Sequence, residues 1–461
     1  MISALHTDRY ELTMLEALLA SGRAENAAVF EVFARSLPEG RRYGVVAGTG
    51  RLVEAVADFS FGRDDLEFLT RSNVISERTA NWLEGWRFGG SMEGYAEGEV
   101  YVPGSPVLTV TGGLGECIVL ETVVLSMLNF DSGVATSAAR TVRAAAGREL
   151  VEMGSRRTHE EAAVAAARAA YVAGFGATSN LLAGRRYGIP TAGTSAHSFT
   201  LAYPDEASAF EAQVRALGTS TTLLVDTFDP ETAIARAVEV AGAGLGAVRI
   251  DSGDLGEQAT RARRQLDDLG AHKTRIVLSG DLDPERIAAL VCGGIPVDAF
   301  GVGTYLVRGL PPGFVYKLVE VADFPDPDGA FSDMSGTRPT RGSTGGRMRG
   351  VAKRGGAKAT VEGRKRAWRR YGPDGRASTE LVLAGAAGEP GDRPLQVPLV
   401  SDGRPVVVTD GRPVAHDVLD LARARCRASL EELPDDAFGL EPGEPCLVTS
   451  REPVARPRPV R

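Results

Sequence analysis

The chain has 461 residues, 43% hydrophobic and 24% charged, which suits a folded protein too long for one ordinary hydrophobic core, so two domains are expected. A net charge of -8 argues against a nucleic-acid partner, because binding a phosphate backbone needs a positive footprint. No apolar stretch reaches bilayer length, Met1-Ile2-Ser3-Ala4 leads into polar sequence without an apolar leader, and Cys117, Cys292, Cys426 and Cys446 are scattered; a cytoplasmic protein with structural thiols is expected, without membrane span, zinc site or disulfide framework.

In chain order, Thr7-Asp8-Arg9-Tyr10-Glu11-Leu12-Thr13-Met14 sets a capping Thr or Asp ahead of a helix over 11–19, with Tyr10 in its first turn. Core packing is the ordinary use of such a tyrosine, and its flat ring also suits stacking on an aromatic ligand. Segments over 28–33, 98–102 and 107–110 read as strands and 116–128 as a helix, so residues 1–128 suggest an α+β sandwich. Residues 129–320 become helix-rich, with an Ala-rich helix over 160–173 and a strand-like 191–194, and then alternate strand and helix. Residues 321–350 are rich in Gly, Pro, Ser and Asp without a hydrophobic period and read as a mobile connection. In 351–461, strands over 395–400 and 406–408 and a helix over 418–428 follow, then an Arg/Pro-rich end expected to be disordered.

The alternating part carries the strongest signal. Leu223-Leu224-Val225 runs into Asp226-Thr227-Phe228-Asp229, Ala247-Val248-Arg249-Ile250 into Asp251-Ser252-Gly253-Asp254, Ile276-Val277-Leu278 into Ser279-Gly280-Asp281, and Val297-Asp298-Ala299-Phe300 into Gly301-Val302-Gly303-Thr304. The helices between them open with Asp229-Pro230 and Asp283-Pro284, an acid to cap free amides and a proline at the first helical position. Buried parallel strands recurring every roughly 20 to 30 residues match an α/β barrel, whose strand C-termini share one rim and commonly hold a phosphate there.

Several rim groups are chemically suggestive. Arg249 in an apolar run needs an anion or a carboxylate, and Asp251 lies at its rim end; the choice is an internal Arg–Asp pair or a ligand. Gly301, Gly303 and Thr304 form either an ordinary strand-to-helix turn or a cradle for a phosphate. Asp281 could accept ribose hydroxyls. His197, in Gly193-Thr194-Ser195-Ala196-His197-Ser198, best fits a rim position of the five histidines, although a lone loop histidine is usually solvated or satisfied in the core. Lys353, Lys358, Arg364, Lys365, Arg366, Arg369 and Arg370 form a solvated basic face or a site for an anionic small molecule such as pyrophosphate or ATP, which Lys317 could join; Arg156-Arg157 is a surface pair or a ligand clamp.

Taken together, these segments resemble the nicotinate phosphoribosyltransferase family, in order through most of the chain: Thr7 to Met14, Arg35-Ser36-Leu37-Pro38 with Tyr43 and Ala47-Gly48, Glu121-Thr122, Gly154-Ser155-Arg156-Arg157, Thr178-Ser179-Asn180, Gly193-Thr194 with Ala196-His197-Ser198, Val225-Asp226-Thr227, Arg249 to Asp254, Asp298 to Thr304, Val315-Tyr316-Lys317-Leu318-Val319-Glu320, and Lys353 with Gly363-Arg364-Lys365. The resemblance implies an irregular α/β barrel over 129–320 and an α+β sandwich domain built from N- and C-terminal segments, with 351–461 completing it. It further implies a homodimer with active sites at the interface, and ATP-assisted transfer of phosphoribosyl from phosphoribosyl pyrophosphate to nicotinate. On this sequence His197 would be the phosphorylated histidine. Arg249, Thr194, Ser179 and Arg156 would hold nicotinate, with Tyr10 from the other subunit on its ring. Ser279, Gly280, Asp281, Gly301, Gly303 and Thr304 would hold the phosphoribosyl group; Arg35, Lys317, Lys353 and Lys358 would face pyrophosphate or ATP, and Asp251 and Asp226 would organise Mg²⁺. The chain departs at Met153, where relatives often carry Phe, so stacking on the base would be half aromatic.

The nearest alternative is nicotinamide phosphoribosyltransferase, where an acid near Thr178-Ser179-Asn180 favours the amide; Ser179 here favours the acid. A barrel lyase or isomerase acting on a sugar phosphate by a Schiff base would want a strand lysine, and the four runs have none. A binding module without catalysis would have lost His197 or the lysines.

Overall fold

The computed structural model describes residues 3–38, 40–323, 347–353, 359–406 and 415–451. It divides into two compact units, Val134–Leu310 and the pair Met1–Gly133 with Pro311–Arg461. The sequence reading had set the barrel at 129–320.

The contiguous unit is built on a curled, all-parallel half-barrel of six strands in the order Ala177–Thr178, Glu149–Glu152, Ala299–Val302, Arg275–Leu278, Ala247–Ile250 and Thr222–Leu224. The strands are short because each needs only two or three apolar side chains to fill the interior; Val248, Ile250, Ile276, Leu278 and Phe300 are fully buried. Helices return between them. Asp229, Asp254 and Asp283 accept backbone N–H bonds from Thr232, Glu257 and Arg286 at 2.9, 2.9 and 2.7 Å, so these helix starts obey the capping rule read in the sequence.

Two expectations in this unit need correction. The last strand begins at Ala299, not Val297, and includes Gly301 and Val302, which pair with Val151 and Glu152; only Gly303 and Thr304 form the turn. Glycine reads locally as a turn, but here its missing side chain admits Met153, whose sulfur lies 2.7 Å from where a Cβ on Gly301 would stand. The segment 191–194 is no strand; it makes one isolated bridge, Thr178 to Thr191.

The other unit joins both ends of the chain through an antiparallel sheet ordered Met348–Gly350, Phe314–Ala322, Ala27–Ala34, Leu108–Gly113, Ser91–Tyr95, Gln396–Ser401 and Arg404–Pro405. Phe30 and Tyr316 stack across it at 4.7 Å, which fixes the pairing of an early strand with a late one. The expected helix over 116–128 is two helices, Leu114–Val119 and Glu121–Ala145. The buried carboxylate of Glu11 accepts the Thr122 N–H at 2.8 Å and so caps the second start. Residues 348–350, expected in a mobile connection, form an edge strand, since ladder pairing needs backbone and no hydrophobic period. Residues 324–346, Val407 and Val408, and 452–461 lie outside the described residues, as do the structural expectations placed on them.

Four members of the basic cluster depart from the readings offered for it. On the strand Lys365–Tyr371, Lys365 pairs with Glu31 at 2.8 Å, Arg369 with Glu380 at 3.0 Å and Arg370 with Asp392 at 2.7 Å, and just before it Arg364 pairs with Glu93 at 2.7 Å. These are internal ion pairs, while Arg366 and Lys353 stay exposed and Lys358 lies outside the described residues. Cys117 and Cys426 are buried thiols as expected, whereas Cys292 is exposed. No helix among the described residues is long and apolar enough to cross a membrane.

Candidate active site

The parallel sheet delivers the C-terminal ends of its strands to one edge, and the loops there touch in sequence. Arg249 is the hub. Its Nε donates to Ser279 Oγ at 2.8 Å, Nη1 to Thr194 Oγ1 at 2.8 Å and to the Ser195 carbonyl at 3.4 Å, and Nη2 to Asp251 Oδ1 at 2.7 Å. One planar guanidinium therefore fixes three rim segments, those of Thr194-Ser195, Asp251 and Ser279. The internal Arg–Asp pair is present, and the second N–H of Nη2 makes no hydrogen bond among the described residues.

Asp251 is half-buried. Burial opposes its charge, yet the Ser279 hydroxyl and the Arg249 guanidinium, with His197 nearby, hold its carboxyl below the ordinary range. Behind it, Asp226 Oδ2 accepts the Asp251 N–H at 2.8 Å and the Ser252 hydroxyl at 2.7 Å, while its Oδ1 is buried and has no hydrogen-bond partner among the described residues. An orphaned carboxylate oxygen can be met by a cation, although among the described residues no three His, Cys, Asp or Glu side chains are grouped to hold one.

His197 opens a short helix, and its Nδ1 lies 3.2 Å from Thr227 Oγ1. The residue is partly exposed, and no hydrogen bond reaches its Nε2 among the described residues. Thr227 stands in a motif quoted above but received no role; local sequence gives no sign of which hydroxyl meets a histidine on another loop.

Gly280 (φ +104) and Asp281 (φ +48) follow in the left-handed region. A Cβ on Gly280 would lie 2.1 Å from the Asp251 carbonyl, so only glycine lets these loops meet. Asp281 holds a costly conformation for a residue with a side chain, and its carboxylate is exposed at the rim. Ser279, by contrast, is buried and its hydroxyl is engaged by Arg249 and Asp251. Next along the rim, Gly303 leads into Thr304, and the backbone of Met153-Gly154 lies against Gly303. Asn180 Nδ2 donates to Ser155 Oγ at 3.1 Å, which ties the Ser179 loop to that carrying Arg156, whose side chain is exposed.

The contiguous unit thus brings together Arg156, Ser179, Thr194, His197, Asp226, Arg249, Asp251, Ser279, Gly280, Asp281, Gly301, Gly303 and Thr304 on consecutive loops. Tyr10, Arg35, Lys317 and Lys353 belong to the other unit. Tyr10 is 43% exposed in the first turn of its helix; burial of its phenol and the Glu121 carboxylate it bonds push its pKa above the ordinary value. Lys317 Nζ donates to the Tyr316 carbonyl at 2.8 Å, Arg35 and Lys353 are exposed, and Lys358 lies outside the described residues.

Comparison with known proteins gives a consistent result. Residues 5–129 match the family model described as nicotinate phosphoribosyltransferase (NAPRTase) N-terminal domain, and residues 148–322 that described as nicotinate phosphoribosyltransferase (NAPRTase) family. The chain is 50% identical to nicotinate phosphoribosyltransferase pncB1 of Mycobacterium tuberculosis (strain ATCC 25618 / H37Rv), over 98% of this chain and 96% of that one. Among solved structures it is similar to human nicotinic acid phosphoribosyltransferase (TM-score 0.74, 25% identity, 96% and 97% of the two chains). It is also similar to nicotinate-nucleotide pyrophosphorylase from Pyrococcus furiosus (TM-score 0.70, 26% identity, 94% and 95%).

Proposed function

This chain belongs to the nicotinate phosphoribosyltransferase family, and we propose that it transfers the phosphoribosyl group of phosphoribosyl pyrophosphate to nicotinate, giving nicotinate mononucleotide and pyrophosphate in NAD salvage. The observation that carries the reading is the Arg249 hub, which sets a cation, a hydroxyl and two carboxylates on one rim beside the Gly303-Thr304 turn.

In the reaction the nicotinate ring nitrogen gives its electron pair to ribose C1′ as the C1′–O bond to pyrophosphate breaks, its pair leaving with the pyrophosphate. Positive charge builds on the sugar, so the Asp251 and Asp281 carboxylates favour the transition state. Arg249 Nη2, with Thr194, Ser179 and Arg156, would hold the nicotinate carboxylate, and Gly303 and Thr304 the 5′-phosphate. Asp226 Oδ1, and Asp251 Oδ2, which carries no hydrogen bond among the described residues, suit Mg²⁺, an ion that binds through one or two carboxylates plus substrate phosphates. Bound there, it would offset charge on the leaving pyrophosphate.

ATP assistance is part of the proposal. His197 Nε2 would attack the γ-phosphorus and carry the phosphoryl group, ADP leaving with the electrons of the broken bond, while the Thr227 hydroxyl fixes the ring. Lys317, Lys353, Lys358 and Arg35 would face the phosphates. We further infer a cytoplasmic homodimer in which Tyr10 of the partner subunit stacks on the base, a role that its half-open ring suits.

The test is to incubate the protein with nicotinate, phosphoribosyl pyrophosphate and Mg²⁺, with and without ATP, and follow nicotinate mononucleotide. No product in either mixture overturns the assignment. His197→Ala should lose ATP stimulation and keep slow ATP-independent turnover; stimulation that survives overturns the phosphohistidine role. Asp226→Asn should raise the Mg²⁺ needed for half-maximal rate.

A further inference from the structure

Glu152, the last residue of the strand Glu149–Glu152, has no part in the chemistry above, yet it stands where three rim loops meet. It is 1% exposed, and among the described residues no cation pairs with it. Burial raises its carboxyl pKa, opposed by the Thr178 hydroxyl and the Gly154 N–H. A buried carboxylate without a counter-charge is costly, and an apolar residue would fill the space more cheaply. Its partners show what it does there.

One oxygen, Oε1, accepts the N–H of Gly154, which leads into Ser155 and Arg156. The other, Oε2, accepts the Thr178 hydroxyl at 2.6 Å. That hydroxyl in turn accepts the Asn180 N–H at 3.0 Å, and the Glu152 carbonyl accepts the Ser179 N–H at 2.8 Å. Gly154 meanwhile lies against the phosphate turn: a Cβ on it would stand 2.4 Å from Val307 Cγ1 and 3.3 Å from the Gly303 carbonyl. The Glu152 side chain thus ties the Gly154 loop, which leads to Arg156, to Thr178, while its main-chain carbonyl holds Ser179; Gly154 in turn packs against the turn assigned to the 5′-phosphate, at Gly303 and Thr304.

We propose that Glu152 is a positioning residue that sets the spacing between the base half-site and the phosphate half-site, so that the two ends of one mononucleotide are gripped together. The inference rests on the nicotinate reading of the rim. It has a signature that mere structural support lacks. Two half-sites at the right separation bind a two-ended ligand far better than either fragment, and that advantage disappears when the separation drifts although each half-site survives. The Thr178 hydroxyl acts as a relay, accepting from Asn180 and donating to Glu152. An amide at 152 must turn either its NH₂ toward the Gly154 N–H or toward a hydroxyl already accepting, and one donor is left unmatched.

The experiment measures binding of nicotinate mononucleotide, nicotinate and ribose 5-phosphate, each alone, to wild type, Glu152→Gln, Thr178→Val and Thr178→Ser by calorimetry or ligand-observed NMR. Thr178→Val keeps the charge of Glu152 and nearly the volume of Thr178, so it separates the relay from electrostatics and from folding. Glu152→Gln and Thr178→Val should lose about tenfold or more in affinity for the mononucleotide, with both fragments within about twofold of wild type and Thr178→Ser close to wild type. Unchanged mononucleotide binding in both variants overturns the proposal, as does a loss shared equally by ligand and fragments. Wild type that binds none of the three ligands overturns the nicotinate reading and this proposal with it, an outcome distinct from either of those.

Discussion

Arg249 and Arg369 each stand on a β-strand with carboxylates as partners, and they end in opposite uses. Arg369 is fully buried, with Glu380 at 3.0 Å, Glu432 at 3.4 Å and Glu99 at 3.8 Å around it, and Arg393 bonding Glu99 and Glu432 in turn. That network lies wholly inside the sandwich unit, with only the buried Arg369 Nε left without a hydrogen-bond partner among the described residues. Arg249 has one carboxylate and three neutral oxygens for partners, stays 13% exposed at the side chain, and sits beside an aspartate with an orphaned oxygen. A strand arginine held by carboxylates is therefore no marker of a site by itself; what separates the two is whether donors and acceptors are left over at an open edge.

Mutations can break this contrast in order of size. Arg369→Met should have the largest effect, leaving Glu380 buried without its cation at a cost of about 3–5 kcal/mol. Trp82, Trp86 and Trp368 all lie in the sandwich unit, so tryptophan fluorescence in a urea titration reads that unit's unfolding and should show the loss. Arg249→Lys should instead lower kcat/KM about a hundredfold, roughly 2.7 kcal/mol, because an ammonium cannot span three loops; the fluorescence midpoint should stay put. Equal loss of stability in both variants would erase the distinction.

Smaller effects sharpen it. Thr227→Val should reduce the ATP-stimulated rate about tenfold, on the order of one hydrogen bond, and leave the ATP-independent rate unchanged. Glu11 offers a titration in the sandwich unit. Burial, opposed by bonds from Thr122 and Thr7, pushes its carboxyl from 4.5 up to about 7. A raised folded value means that its contribution is complete below the unfolded value of 4.5 and is lost as pH rises through about 7. The wild-type fluorescence midpoint should therefore fall across that window, and Glu11→Gln should flatten the slope.

Legibility from sequence followed distance along the chain. The parallel strands could be read because each apolar run ends in acids or glycines and the next helix announces itself through Asp229 or Asp283, all within one local window. Residues of the rim followed from that register. The basic cluster could not be read, because Lys365 finds its acid at Glu31 and Arg364 finds one at Glu93, hundreds of residues away. The Gly301 boundary failed for a related reason, since its strand character depends on Val151 and Met153 from another segment. Thr227 and Glu152 were missed because a hydroxyl or an acid at a strand end has many uses and only its neighbours choose among them.

The sandwich unit is interrupted in sequence: the whole of Val134–Leu310 intervenes between its two halves. During translation, then, the half-barrel has emerged complete while its host still lacks the strand Phe314–Ala322 that pairs with Ala27–Ala34. Synthesis itself imposes an order of assembly, in which the inserted part matures first and the surrounding part waits, with unpaired strand edges, for the ribosome to deliver the remainder.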